Sequence, residues 1–243
     1  MSSPPAPPPR ITDPHAVPVH GVDTHLPAVA PEGLAADSIR ARFPIPPGWC
    51  PEIRGDGRFA SDRAPAPAAV LVPLVQRDDG LHVLLTQRTS HLKHHPGQIS
   101  FPGGKTEPED AGPEATALRE TQEEIGLHHR HVEIVGRLPT YTTVSRFVIT
   151  PVVALVRPPF DVQPDAREVA EVFEVPLAFL MNPAHHRRHL YRHEGGSRQF
   201  LSMPWRPESG TGPAREFFIW GATASMLRNF YSLLAQPQAA RVA

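Results

Sequence analysis

The stretch AAVLVPLV (68–75) carries no charged side chain and reads as a buried strand, so the chain needs layers to cover it. Asp78-Asp79-Gly80 and LHVLLTQR (81–88) follow, and the pair reads as a β-hairpin. HVEIVGRL (131–138) and RFVITPVVALV (146–156) are further strand candidates, while EVAEVFEVPLAFL (168–180) mixes strand and helix character. REFFIWGATASMLRNFYSLL (215–234) reads as a strand running into a helix, whose Met226, Leu227, Phe230, Leu233 and Leu234 recur at helical spacing and belong to the core. Strands mixed with two clear helices suggest an α+β or α/β domain, as layers packed around a sheet.

Composition divides the 243 residues unevenly. Proline occurs 31 times, crowded at Pro4, Pro5, Pro7, Pro8 and Pro9 and recurring up to Pro67. Residues 1–35 are therefore expected to form a disordered tail, and 36–67 an extension with room for one short helix within 35–43. The folded domain is expected over 68–236, with a flexible tail at 237–243. A formal charge of −1 and a pI near 6.9 give no electrostatic case for nucleic acid or a membrane surface. The single cysteine, Cys50, excludes an internal disulfide and has no CxxC partner. No apolar run approaches the roughly 18 residues of a membrane span, and MSSPPAPPPR lacks the apolar core of a secretory signal. A cytoplasmic protein is the expectation.

The chemistry concentrates in GGKTEPEDAGPEATALRETQEEIGL (103–127). Gly112-Pro113 is a helix start with Glu114 in the positive first turn, and Gly126 is a stop. With about 100° per residue and Leu118 at zero, Ile125 falls near −20°, Glu120 near 200°, Glu123 near 140° and Glu124 near 240°. Leu118 and Ile125 then mark the buried face, and the three carboxylates gather opposite the core. Glu120 and Glu124 form a like-charge i,i+4 pair, which costs a few tenths of a kcal/mol on a plain surface helix. Oxygen ligands this close suit Mg²⁺ or Mn²⁺, whose charge removes the repulsion.

The stretch resembles the Nudix signature, with "RETQEEIG" (119–126) as its core. Thr121 stands where an aliphatic residue is usual and Asp110 where the early glutamate is usual, with one extra residue between Asp110 and Arg119. The longer, Asp-type box is similar to that of the coenzyme A diphosphatase group. Its companion motif resembles "LLTQRTSHLKHHPGQISFPGG" (84–104), and "SRFVITPVV", "EVAEVFEVPL" and "FIWGATASML" follow in order. Arg146 occupies a position where that group has glycine.

The resemblance implies a Nudix fold, an α/β/α sandwich with a mixed central sheet between helices. It implies that Glu123 and Glu124, with the Gly103 carbonyl, bind Mg²⁺ or Mn²⁺, and that Glu120 is a further ligand or orients the attacking water. Arg119 would steady Glu123 or Asp110, and Glu168 is the candidate general base with Glu171 as its substitute. Arg88, Lys93 and His95 are candidates to meet phosphates, and Gly97 to let the backbone turn close to them. The basic run HHRR (185–188), with His189, Arg192 and His193, is a candidate contact for an adenosine 3′-phosphate. The implied substrate is a small molecule, coenzyme A or an acyl-CoA, with no nucleic-acid or membrane partner; a homodimer is left open. Two alternatives stand beside this: another Nudix specificity such as ADP-ribose, NADH or a dinucleoside polyphosphate, and a non-catalytic protein that keeps the fold.

Overall fold

The apolar run at 68–75 lies in the middle of a layered structure, where both of its faces are covered. A computed structural model describes residues 11–46, 48–56, 64–92, 95–194, 196–207 and 215–237. Strand β1 (Val19–Val22) and helix α1 (Ala36–Arg40) precede a long β2 (Ala66–Arg77). Then come β3 (Gly80–Arg88), β4 (Ile99–Ser100), β5 (Gly103–Lys105), α2 (Pro113–Ile125), β6 (Val132–Arg137), β7 (Tyr141–Thr142) and β8 (Phe147–Val156). The described chain closes with β9 (Val169–Pro176), α3 (Leu177–Leu180), β10 (Arg187–His193), β11 (Gly196–Trp205), β12 (Phe217–Trp220) and α4 (Gly221–Leu234). No described helix is long and apolar enough to cross a membrane.

The main sheet runs β4-β3-β2-β8-β6, with β5 on β2, β7 on β8 and β9 on β3. Among the described strand pairs only β2 with β8 is parallel, so the sheet is mixed, as expected. Alternation along β2 and β8 sends side chains to opposite layers. Ala69, Leu71, Val152 and Ala154 pack with Ala117 of α2. Val70, Val72, Leu74, Val153 and Leu155 pack on the other face with Met226, Leu227, Phe230, Leu233 and Leu234 of α4. Leu227 and Phe230 are fully buried, and truncating such a side chain to alanine costs about 2–5 kcal/mol.

A second, antiparallel sheet, β1-β10-β11-β12, shares the α4 side. It corrects the expectation of disorder over residues 11–35. Val19, Gly21 and Val22 of β1 pair with His189, Arg188 and Arg187 of β10. Val29 N–H donates to the Met181 carbonyl (3.1 Å), and the Tyr231 hydroxyl donates to the Pro27 carbonyl (2.7 Å). A proline-rich segment is ordered here because its backbone groups and charges find partners outside the segment. Residues 1–10 and 238–243 of the two expected tails lie outside the described residues.

Candidate active site

Pro113 opens α2 after Gly112, and Gly126, with φ 71°, closes it by donating its N–H to the Gln122 carbonyl. The buried face is not the one expected. Thr116, Ala117, Thr121, Glu124 and Ile125 are buried, whereas Leu118 is only half-buried. The helix sits close to the sheet on small residues, so its inner face is centred roughly 80° from Leu118 on the helical wheel. That rotation carries the acidic residues inward by different amounts. Side-chain exposure is 10% for Glu124, 18% for Glu120 and 61% for Glu123. Thr121 fits its buried place because its hydroxyl donates to the Ala117 carbonyl (2.6 Å).

Strand β5 supplies the floor. Gly103 has φ 152°, and a Cβ there would lie 2.4 Å from the Ala69 carbonyl oxygen and 2.5 Å from Val70 Cα. A Cβ on Gly104 would lie 2.4 Å from Glu120 Oε2. The glycine pair thus lets the backbone pass directly under the carboxylates. Gly103 N–H donates to Glu124 Oε2 (3.2 Å).

Arg119 organises the outer half of the cluster. Its Nε and Nη2 grip Asp110 Oδ1 and Oδ2 (3.0 Å each), Nη1 reaches Glu120 (3.1 Å) and Glu123 (3.0 Å), and Nη2 also donates to the Lys105 carbonyl (3.0 Å). Asp110 further accepts from Glu107 N–H and from the Thr116 hydroxyl, both at 2.9 Å. The guanidinium and these donors hold its carboxyl well below the usual range. Asp110 therefore belongs to the support of the cluster, as does Arg119.

Glu168 arrives from the far end of the chain. The last carbonyls of α2 accept from the connection before β9: Ile125 O from Gln163 N–H (2.7 Å) and Glu124 O from Asp165 N–H (2.9 Å). Asp165 O then receives Glu168 N–H (2.9 Å), and Glu168 O receives Thr89 N–H (2.9 Å). Arg88 Nη1 lies 4.0 Å from both Glu124 Oε1 and Glu168 Oε2. Glu171 goes elsewhere: it pairs with Arg215 Nη1 at 2.5 Å.

Burial pushes the Glu124 carboxyl up to about 7, with Glu120 and Glu168 adding like-charge repulsion against the opposing Gly103 N–H and Arg88. Burial also raises the Glu120 carboxyl, and Arg119 opposes that rise. Among the described residues, no three His, Cys, Asp or Glu side chains converge as placed to hold a metal ion. Glu120 and Glu123 instead share Arg119. The donor set still fits a hard divalent cation: it is all oxygen, it surrounds a backbone stripped of side chains, and its innermost carboxylate lacks a full countercharge.

The other expected residues divide. His95 (φ 55°) and Gly97 (φ 68°) form the turn between β3 and β4, where Gln98 N–H donates to the His95 carbonyl (3.2 Å). Lys93 lies outside the described residues. Arg146 takes φ 68°, the left-handed conformation that glycine adopts most readily. Within the basic run 185–188, His185, His186 and Arg188 have structural partners, which argues against the phosphate contact suggested for them, while Arg187 is exposed. His186 is buried, with Nδ1 accepting from Arg228 (3.1 Å) and Nε2 donating to the Leu180 carbonyl (2.8 Å). Arg188 pairs with Asp23 (2.7 Å) and Glu52 (3.0 Å), and His185 stacks on Phe179.

A family model described as NUDIX domain matches residues 65–193, more than half of the chain. An uncharacterized Nudix hydrolase NudL from Enterobacter sp. (strain 638) is 40% identical over 163 residues, covering 66% of this chain and 79% of the relative. The NudL of Salmonella paratyphi B (strain ATCC BAA-1250 / SPB7) is 42% identical over the same length and coverage. A C. elegans Ap4A hydrolase structure, a binary complex, is 23% identical with a TM-score of 0.41, covering 48% of this chain and 85% of its own. On the extent of the family match and the identity of these relatives, the chain belongs to the Nudix hydrolase family.

Proposed function

We propose that this Nudix hydrolase cleaves the diphosphate linkage of coenzyme A or an acyl-CoA, releasing 3′-phosphoadenosine 5′-phosphate and 4′-phosphopantetheine or its acyl form. The observation that carries the reading is the continuity of residues 84–104 with the acidic helix. One end of that block, Arg88, lies 4.0 Å from Glu124 and Glu168, and the other end, Gly103, bonds Glu124.

Glu123, Glu124 and Glu120, with the Gly103 backbone, would hold Mg²⁺ or Mn²⁺, which neutralises diphosphate charge and acidifies a bound water. Glu168 accepts the proton of the attacking water. The water oxygen bonds to one phosphorus, the bridging P–O bond breaks, and the bridging oxygen leaves with the other phosphate. Arg88, Lys93, His95 and Gly97 bind and orient the phosphates. Arg119 and Asp110 are positioning residues for the carboxylates.

Hydrolysis of coenzyme A, ADP-ribose and NADH, each with Mg²⁺ or Mn²⁺, tests the reading by chromatography of products. A clearly higher kcat/KM for coenzyme A, with 3′-phosphoadenosine 5′-phosphate released, is the expected result. Preference for ADP-ribose or NADH would leave the diphosphatase chemistry and overturn the substrate.

A further inference from the structure

Arg215 opens the stretch read as a strand running into a helix but lies outside the motifs that carry the family resemblance, and its side chain is 55% exposed. Its guanidinium nevertheless has three fixed neighbours. It lies over the Phe217 ring, 4.8 Å from the centroid, pairs with Glu171 at 2.5 Å, and donates through Nη2 to Gln87 Oε1. Phe217 is itself buried and stacked on Phe173 at 4.0 Å, so the surface under the guanidinium is rigid. Arginine can only donate, which turns the Gln87 carbonyl toward Arg215 and its amide NH₂ away. That NH₂ donates to the Gly97 carbonyl at 3.2 Å.

We infer that Arg215 is a positioning residue for the turn at 95–98, acting through Gln87; this rests on the reading that the turn holds substrate phosphate. The turn needs a brace. It contains two left-handed residues, His95 and Gly97; its base is closed by Arg88 N–H to the Gln98 carbonyl (2.9 Å), but inside the turn the contact from Gly97 N–H to the Thr89 carbonyl is long at 3.4 Å. Successive side chains of β3 then point to two different ends of the site. Arg88 faces Glu124 and Glu168, while Gln87 faces Arg215 and Gly97. Glu171 orients the guanidinium rather than the reacting groups. Because an ion pair this exposed adds little to global stability, its loss can be read at the turn without unfolding the protein.

The test uses the full chain as wild type, Arg215→Ala, Arg215→Lys, Gln87→Ala and the double Ala variant. Coenzyme A hydrolysis is followed with Mg²⁺, beside amide hydrogen exchange of residues 95–100 and of α2 without substrate. Arg215→Ala and Gln87→Ala are each expected to raise KM about fivefold with kcat within about twofold, the double variant adding nothing further. Lysine, which keeps the charge and loses the planar fork, restores part of the loss. Exchange should quicken at 95–100 and stay unchanged in α2. Unchanged exchange at 95–100 overturns the brace, and additive KM effects overturn the route through Gln87. Faster exchange with unchanged KM overturns the positioning role. If wild type turns over no diphosphate, the functional reading fails, and exchange alone decides the brace.

Discussion

Two clusters of carboxylates and guanidiniums are built from the same side chains to opposite ends. In one, Asp23 and Glu52 face Arg188 and Arg228 beside the buried His186. Acids and bases balance there, and the arginines hold both carboxyls below their usual range despite burial. In the other, among the described residues, Asp110, Glu120, Glu123, Glu124 and Glu168 face Arg88 and Arg119, with Arg167 acting on Glu168 at longer range. Asp110 takes the bidentate face of Arg119, and the innermost acid, Glu124, is pushed up instead of down. The balanced cluster matches its charges internally, with Asp23 Oδ2 held by charge and not by a hydrogen bond, and it ties Asp23 and Glu52 to α4 and β10. The unbalanced one keeps an excess of acid, which would suit the metal-dependent site proposed above.

The largest effect should come from removing the innermost acid of the unbalanced cluster. Glu124→Gln is expected to lower turnover of the preferred diphosphate by about 10³-fold, the several kcal/mol of charge stabilisation a cation supplies. The protein should still fold, because glutamine keeps the shape and an oxygen for Gly103 N–H. Steady-state rates with Mg²⁺ and circular dichroism check both halves. Near-normal turnover would mean that the excess acid is not the metal site.

The balanced cluster should answer in stability rather than rate. Asp23→Ala leaves Arg228, whose side chain is 3% exposed, short of a partner 2.9 Å away. Breaking such a pair costs about 3 kcal/mol, visible as a lower urea midpoint. The protein that stays folded should keep its kcat. For the same reason, removing residues 1–35 takes away β1 and Asp23 together and should destabilise the fold. An unchanged midpoint for Asp23→Ala would reduce this cluster to surface charge.

How far each cluster could be read from sequence follows from its range along the chain. Helix α2, its glycine stop and its three glutamates are local, so periodicity and capping exposed them. The orientation of α2 was not, because the buried face rests on Ala69, Ala117 and Ala154, whose small side chains carry little hydrophobic signal. The balanced cluster joins Asp23 to Arg188 across 165 residues, and RRHLYRH reads as a basic surface run until its partners are placed. Sequence similarity ranked Glu168 above Glu171, but only the lacing of residues 163–168 onto the end of α2 supplies a physical reason.

That ranking gives a finer test of the unbalanced cluster. Glu168→Gln should lower kcat about 10²-fold if Glu168 takes the proton of water, the usual weight of a general base. Glu171→Gln, which disturbs only Arg215, should leave kcat within about twofold and act on KM. A reversed pattern would move the base to β9 and detach Glu168 from the chemistry.

The smallest effects, and the sharpest contrast, lie in pH. Burial holds His186 down to about 4, with Arg228 adding repulsion and Asp23 opposing it. The unfolded chain therefore takes up a proton near pH 6.5 that the folded chain refuses. Stability tied to His186 is complete above about pH 6.5 and is lost as pH falls toward 4. His189, also lowered by burial, adds in the same direction. Glu124 runs the other way: its folded carboxyl binds a proton near 7, the unfolded one near 4.5. Stability tied to Glu124 is complete below about pH 4.5 and is lost as pH rises through 7. Each contributes about 3 kcal/mol across overlapping windows, so the two largely offset each other from pH 4.5 to 7. Urea unfolding without added metal separates the two. Glu124→Gln should leave stability rising with pH over that range, and His186→Gln should leave it falling. Parallel curves would show that the two clusters do not carry opposite protonation costs, and the contrast between them would fail.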